Sequence, residues 1–408
     1  MGNNIPQGYK ATALGIIPQE WEVMRLEDLC HNEGDYGINA PATDFSDKLP
    51  TYLRITDIDD DGKFIIANKA SVNNPNSGSY HLKDGDIVFA RTGATVGKTY
   101  LYNREDGDLV FAGFLIRFSP NAQKIVPYYL KAYTNTSTYW KWVKITSQRS
   151  GQPGINATEY CSLQIPVPPL AEQRKIAEVL GVWDEAIEKQ ARLIEKLALR
   201  KRALMQRLLS AKLRLPGFSE PWKIHKLQEL FTERNETNRT DLPLLSITGD
   251  RGVILQTESE KRDTSNDDKS KYKRIAKGDI GYNTMRMWQG RSALSGLEGI
   301  VSPAYTIVVP NTDVDGYYMS VLFKQPRLIY DFWTHSQGLV GDTLNCKYRD
   351  FGQVHICCPP LAEQKAITEV LTAADREIEL AKEKLDRLRR QKRGLMQQLL
   401  TGKKRVKY

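Results

Sequence analysis

The most regular pattern of apolar positions in the chain is a stripe through its middle. Ile176, Leu180, Trp183, Ile187, Gln190, Ile194, Leu197, Lys201, Leu204 and Leu208 follow one another at alternating steps of four and three. A mean step of 3.5 residues keeps one stripe facing a neighbouring helix, so the pattern predicts a coiled-coil seam rather than an ordinary amphipathic helix. The stripe is written again 191 positions later, as Ile367, Leu371, Ala374, Ile378, Ala381, Leu385, Leu388, Lys392, Leu395 and Leu399. Residues 168–215 and 359–406 align without a gap, with 23 of 48 positions identical. Pro168-Pro169 and Pro359-Pro360 mark the helix starts, because proline is tolerated in a first turn and not inside. Gly402 and its counterpart Ser210-Ala211 mark the ends. Each copy predicts a rod of roughly 40 residues, about 60 Å long. Two like rods in one chain bury their seams most readily on each other.

The duplication reaches past the rods. LGIIPQEWEVMRLEDL at 14–29 aligns with LPGFSEPWKIHKLQEL at 215–230, setting Trp21 against Trp222, Leu26 against Leu227 and Leu29 against Leu230. Both read as a turn, a tryptophan-led strand and a short helical stretch. The C-terminal KKRVKY corresponds to KLRLPGF, which in the first copy runs directly into the Trp222 segment. The pattern is therefore circular, and it predicts neighbouring termini and a pseudo-two-fold axis.

Two segments between these repeats, about 30–167 and 231–358, share an outline and little else. YLRITDIDDDGKFI at 52–65 is echoed by LLSITGDRGVIL at 244–255, each alternating apolar and polar residues around a glycine-containing turn as hairpins do. KDGDIVFARTGATVGKTYLY at 83–102 is echoed by AKGDIGYNTMRMWQGRSALS at 276–295, and FAGFLIRFSP at 111–120 by SPAYTIVVPN at 302–311. The polar loops TSQRSGQPGIN at 146–156 and HSQGLVGDTLN at 335–345 are parallel, and helices are expected near 126–143 and 316–332. Each segment reads as a mixed α+β globule at one end of a rod. A copied scaffold carrying diverged globules suits a molecule that reads two different things in a fixed relation.

Composition narrows the partner. With 408 residues, 40% of them hydrophobic, the chain can bury real cores. No apolar run approaches the length of a membrane span, the N-terminus lacks a signal-peptide core, and a cytoplasmic location is expected. Five scattered cysteines without CxxC spacing and five unpaired histidines point to neither disulfides nor a metal site. The net charge of +9 favours a polyanion. Much of it lies at the rod ends, in Arg200, Lys201, Arg202, Arg207, Lys212 and Arg214, and in Arg387, Arg389, Arg390, Lys392, Arg393, Lys403, Lys404 and Arg405. A solvated helix face with cations at its C-terminus accounts for part of this set, and the rest suits a phosphate backbone.

Three motifs invite chemistry. GATVGKT at 93–99 encloses three residues between Gly93 and Gly97 where a phosphate loop needs four, and strand-like residues follow Lys98, so a glycine-rich hairpin carrying Arg91 and Lys98 is expected instead. DIDDDG at 57–62 opens like a calcium loop, but its twelfth position is Asn68 and not a glutamate, so a hairpin turn is expected. MRMWQGR at 285–291 combines core-type Met and Trp with Arg286, Gln289 and Arg291, and Arg and Gln side chains make two-pronged contacts to guanine and adenine. We find no methyltransferase NPPY motif, dinucleotide fingerprint, nuclease acid cluster or nucleophile elbow.

The twice-written PPLAEQ-x2-I-x2-VL helix, the W-x4-L-x2-L segment, and the stretches DGDIVFARTGATVGK and GDIGYNTMRMWQG resemble the specificity subunit of type I restriction–modification enzymes, over about Leu14 to Arg405. The resemblance implies an α+β fold in which two globular α/β target recognition domains are separated by two long antiparallel coiled-coil helices in a circular pseudo-two-fold arrangement. The divisions expected are 1–167 for the N-terminal segment and first recognition domain, 168–213 for the first spacer helix, 214–358 for the second recognition domain and 359–408 for the second spacer helix. It further implies a non-catalytic subunit that reads a split, asymmetric site on double-stranded DNA. Two methyltransferase subunits and two restriction/translocase subunits are the expected partners, with no membrane. Cofactors are none of its own, S-adenosylmethionine and ATP being held by those partners.

For base reading, the residues expected are Arg91, Thr92, Lys98, Gln148 and Arg149 in the first half and Arg286, Gln289, Arg291 and Gln337 in the second. For partner docking they are Glu172, Gln173, Glu363 and Gln364, which could instead cap the helices. The competing readings are a self-contained site-specific nuclease or modification enzyme, which needs a metal or methyl-donor site, and a pure scaffolding coiled coil, which does not need two diverged globules.

Overall fold

A computed structural model describes residues 5–249, 251–259, 266–338 and 344–407. The chain divides into two units, residues 1–191 with 383–408, and residues 192–382. Two helices of 39 residues each, Leu170–Leu208 and Leu361–Leu399, occupy the predicted rod positions. The first gives its start to unit 1 and its end to unit 2, and the second does the reverse.

Within each unit the two helix segments run antiparallel, as the ion pairs between them show. In unit 1, Glu172 pairs with Arg405 and Asp184 with Lys392. In unit 2, Lys201 pairs with Asp375 and Arg214 with Glu363. Advancing along one helix retreats along the other, and each pair in one unit is the repeat image of a pair in the other. All twenty seam positions are buried or half-buried. Lys201 and Lys392 belong to the seam because each ammonium lies 2.5 Å from an aspartate oxygen of the facing helix. The other oxygen of that aspartate accepts from a tyrosine hydroxyl, Tyr317 for Asp375 and Tyr128 for Asp184. Burial and the adjacent carboxylate push both phenol pKa values up, which keeps them donors.

Each globule is built on the same plan. The strand leading into a long helix pairs antiparallel with the tryptophan-led strand, Gln164–Val167 with Glu22–Arg25 and His355–Cys358 with Lys223–Lys226. A four-stranded sheet follows, in the order Asp35–Tyr36, Leu115–Phe118, Ile87–Ala90, Thr99–Leu101 in unit 1. In unit 2 the order is Phe231–Glu233, Tyr305–Pro310, Ile280–Asn283, Ser292–Leu294. Helices Pro127–Tyr133 and Ser137–Thr146 correspond to Gly316–Leu322 and Pro326–His335. The globules diverge in their outer strands. The hairpin expected at 244–255 forms between Leu245–Ile247 and Val253–Leu255. Its echo at 52–65 is reduced to the single bridge Ile58–Phe64. The reason is Asp57, a buried carboxylate that accepts from the backbone and guanidinium of Arg54 and coils the chain into a 3-10 turn. Strand Thr51–Leu53 pairs instead with Leu109–Phe111 in parallel.

Globule and rods share one core in each unit. In unit 1, Trp21, Phe89, Phe118 and Tyr160 pack with Ile176 and Leu180 from the first long helix, Met396 and Leu399 from the second, and Leu400 just after it. In unit 2, Phe231, Tyr282 and Phe351 pack with Leu208, Leu209, Ile367 and Leu371. The expected circularity is present in unit 1, where Arg405 also reaches Glu20 and Gly402 lies against Pro18 and Trp21.

The helix ends carry one testable irregularity. Gly402 (φ 70°) and its counterpart Ala211 (φ 58°) both turn the chain in the left-handed region, which costs an L-residue roughly 1–2 kcal/mol. Ala211→Gly removes that strain at the entropic cost of a glycine, about 0.5–1 kcal/mol, so a net gain of about 0.5–1 kcal/mol is expected in urea unfolding. Gly402→Ala is expected to destabilise, since its methyl would lie 2.3 Å from Pro18 Cδ.

Candidate nucleic-acid interface

The start of each long helix is wired into its globule, and the wiring corrects one expectation. Glu172, Gln173, Glu363 and Gln364 are all buried, so they do not offer a docking face. Glu172 accepts two hydrogen bonds from the Arg405 guanidinium, at 2.6 and 2.8 Å, and one from Trp21 Nε1 at 3.0 Å. Glu363 accepts from Arg214 at 2.6 and 2.7 Å and from Trp222 Nε1 at 3.3 Å. Gln173 accepts from Val126 N–H and donates to the carbonyls of Pro168 and Lys124. Gln364 does the same with Asp315 N–H and the carbonyls of Pro359 and Asp313. A buried carboxylate held by a two-pronged guanidinium and an indole is a junction. The rod cations are corrected in the same way: Arg200, Lys201, Arg214, Arg389, Lys392 and Arg405 are engaged in ion pairs within their own unit. Arg202, Arg207, Lys212, Arg387, Arg390, Arg393, Lys403 and Lys404 remain exposed.

In unit 1 the glycine-rich turn is a hairpin and not a phosphate cradle. Gly93 N–H donates to Pro153 and Gly97 N–H to Ala90, which commits two of the amides a phosphate would need. Strand Thr99–Leu101 follows Lys98 as expected. The turn sits beside the polar loop before the long helix, through the bridge Thr92–Gly154 and the bond from Ile155 N–H to Arg91 O. Arg91, Thr92 and the 148–155 loop are thereby brought together. Arg91 lies 4.8 Å over the ring of Tyr36. Gln148 is exposed. Arg149 is half-engaged, gripping Glu159 at 2.5 and 2.6 Å.

Lys98 is held 2.6 Å from Asp60, whose pKa is lowered by that hydrogen bond and the lysine charge. Asp60 belongs to the DIDDDG turn. Asp59 accepts there from the N–H groups of Asp61 and Lys63, and Asp61 reaches Arg389 of the second long helix at 3.3 Å. The acidic turn therefore folds over basic side chains, and among the described residues no acid and histidine cluster forms a metal site.

In unit 2 the expected residues line a concavity. Arg286, Gln289 and Arg291 surround a cleft of about 390 Å³ together with Thr248, Asn283 and Tyr305. Three extended donors around an open cleft can present paired N–H groups to a base edge or a phosphate, and Asn283 adds an amide able to do both. Gln337 is exposed and bridged to Asn345. The expected loop 335–345 falls partly at 339–343, outside the described residues. Sequence reading missed Thr248, Asn283 and Tyr305; the sequence echo sets Tyr305 against Phe114, whereas the strand register places it at the position of Leu115.

Residues 18–198 match the profile of the type I restriction modification DNA specificity domain. A putative type I restriction enzyme MjaX specificity subunit from Methanocaldococcus jannaschii is 28% identical, covering 98% of this chain and 97% of the relative. Residues 18–198 therefore carry a type I restriction modification DNA specificity domain, and nearly the whole chain is similar to a specificity subunit. The type I restriction enzyme MjaVIII specificity subunit of the same organism is 24% identical, covering 96% of this chain and 94% of the relative. Among solved structures, a chain from work on complex assembly and conformational transition of the type I R-M system superposes with a TM-score of 0.59 at 18% identity, covering 95% of this chain and 99% of its own. The S subunit from M. genitalium gives 0.52 at 13% identity, over 98% of this chain and 97% of its own. The likeness to these two is one of fold.

Two outcomes follow from the geometry. Glu363→Ala strands Arg214 and the Trp222 indole, and should lower stability in urea by about 3 kcal/mol, the lower end for breaking a buried pair because the arginine edge is part-exposed. A side chain that served docking alone would leave unfolding unchanged. Arg286→Ala should cost about 1–3 kcal/mol in DNA affinity and relax one position of a single half-site, read by binding to a panel of single-base variants.

Proposed function

We propose that this chain is the DNA-recognising, non-catalytic subunit of a type I restriction–modification complex. Each unit reads one half of a split site, and the shared helices set the gap. The observation that carries this reading is a frame whose Glu–Arg and Asp–Lys pairs are duplicated, bearing loop surfaces that differ between the units. A single binding surface or a scaffold has no need of that contrast. Exposed cations on the helices supply sequence-independent affinity through counterion release, and loop donors in each unit supply selectivity. Because the surfaces differ, the site is asymmetric.

The chain's partners are double-stranded DNA and the methyltransferase and restriction subunits that act on it, two of each in our proposal. With the Glu-Gln pairs buried, docking falls to the outer helix faces, where Val182, Leu193, Leu199 and Leu380 stay exposed. No helix among the described residues is long and apolar enough to cross a membrane.

The helix pair provides the test. Inserting about one helical turn within 190–200, with the matching insertion at 381–391 to keep the seam in register, is expected to lengthen the unmethylated gap and leave both half-site sequences unchanged. Methylation profiling of a host carrying the altered chain and its methyltransferase subunit reads this directly. An unchanged gap contradicts the proposal.

A further inference from the structure

One large apolar side chain in unit 1 is held outward next to the candidate reading residues. Phe114, at the tip between strands Leu109–Phe111 and Leu115–Phe118, is 57% exposed. A lone exposed phenylalanine needs no explanation, but this one has a setting. The tip is tightly bonded, with Ala112 N–H on Leu53, Gly113 N–H on Ile38 and Leu115 N–H on Ala112. Arg91 clasps it, its backbone N–H donating to Phe114 O at 3.0 Å and its guanidinium reaching Gly113 O at 3.5 Å. The same guanidinium lies over the ring of Tyr36, itself 42% exposed. Phe114, Arg91 and Tyr36 thus form one preorganised aromatic and cationic prominence.

The repeat shows that the fold does not demand this. In unit 2 Thr284 N–H donates to Ala304 O as Arg91 N–H donates to Phe114 O, so the structural counterparts of Phe114 and Arg91 are Ala304 and Thr284. The backbone bond is the same at both sites, while the exposed ring and the guanidinium beside it are present only in unit 1.

We propose that Phe114 is a specificity-determining residue of the first half-site, reading the 5-methyl group of a thymine in the major groove beside a base contacted by Arg91. This rests on the reading of the chain as a DNA-recognising subunit. A phenylalanine has no donor or acceptor with which to choose among base edges, and the thymine methyl is the one apolar mark the major groove offers. The interaction involves no phosphate, so it leaves the salt dependence of binding unchanged.

The test uses the full chain with its methyltransferase subunits and duplexes carrying the methylated site. Each thymine of the first half-site is replaced in turn by deoxyuridine, which removes only the methyl. The wild type is expected to lose about 3- to 10-fold in affinity at one position, in line with one buried methyl group. Phe114→Ala should bind the thymine duplex as weakly as the wild type binds the uracil duplex, should be indifferent to the replacement, and should keep the wild-type salt slope. Phe114→Leu should retain part of the discrimination.

The inference is overturned by a first half-site without thymine, or by Phe114→Ala retaining the wild-type uracil penalty. It is overturned equally by Phe114→Ala impairing assembly with the methyltransferase subunits while leaving discrimination intact, since the tip is then a protein contact. Failure of the wild type to prefer any sequence would instead remove the functional reading beneath it.

Discussion

The rest of the molecule depends on the register of the antiparallel helix pairing, and charge sets that register. A coiled-coil seam of leucine and isoleucine alone tolerates sliding by a heptad. A lysine in the stripe does not, because it must meet a carboxylate or lose its hydration for nothing. Lys201 finds Asp375 and Lys392 finds Asp184, each carboxylate being completed by a tyrosine from the adjoining globule. At the helix starts, Glu172 and Glu363 repeat the device in a drier setting, each held by an arginine from the segment that follows the opposite helix and an indole from the globule. The apolar clusters supply most of the stability. The ion pairs choose among the ways in which that apolar surface can be buried.

Because each junction joins three parts, a fixed register also fixes the globule. The tryptophan-led strand, the opening of one long helix and the closing turn of the other meet at a single carboxylate. The four-stranded sheet and its two short helices then share the same core. Loops at the far edge of that sheet are therefore carried on a rigid base while their own sequences are free to change. The result is visible in the pair 93–98 and 286–291: the first closes into a turn whose lysine is held by Asp60, and the second lines an open cleft with two arginines and a glutamine.

Much of this architecture could be read from the chain, and what could not has a common cause. The seam positions, the duplication, the circular arrangement and the short helices of each globule followed from periodicity and repeat alignment. Those signals are local or repeated, and they survive without knowledge of packing. The Glu-Gln pairs were misplaced because a polar dipeptide at a helix start looks solvated until its partner is known. For Glu172 that partner is Arg405, 233 residues away. A signal did exist, since Arg214 and Arg405 recur at the same offset as Glu172 and Glu363. Charged residues duplicated together are candidates for pairing with each other. Lys98 and Arg149 were legible as cations but not as engaged ones, for their acids lie on other segments, Asp60 in the acidic turn and Glu159 in the short helix Ala157–Cys161. The expected hairpin at 52–65 failed because alternation does not reveal that Asp57 prefers to bond back to Arg54.

The central claim is that one duplicated frame carries two unlike readers, and an exchange of readers tests it most directly. A chain is made in which residues 231–354 replace residues 30–163, keeping both long helices and both tryptophan-led strands, and its methylation motif is sequenced alongside that of the native chain. The account predicts a palindromic motif, two copies of the second half-site in opposite orientation across the native gap. A motif that stays asymmetric, or one whose half-site is found in neither arm of the native site, would contradict it.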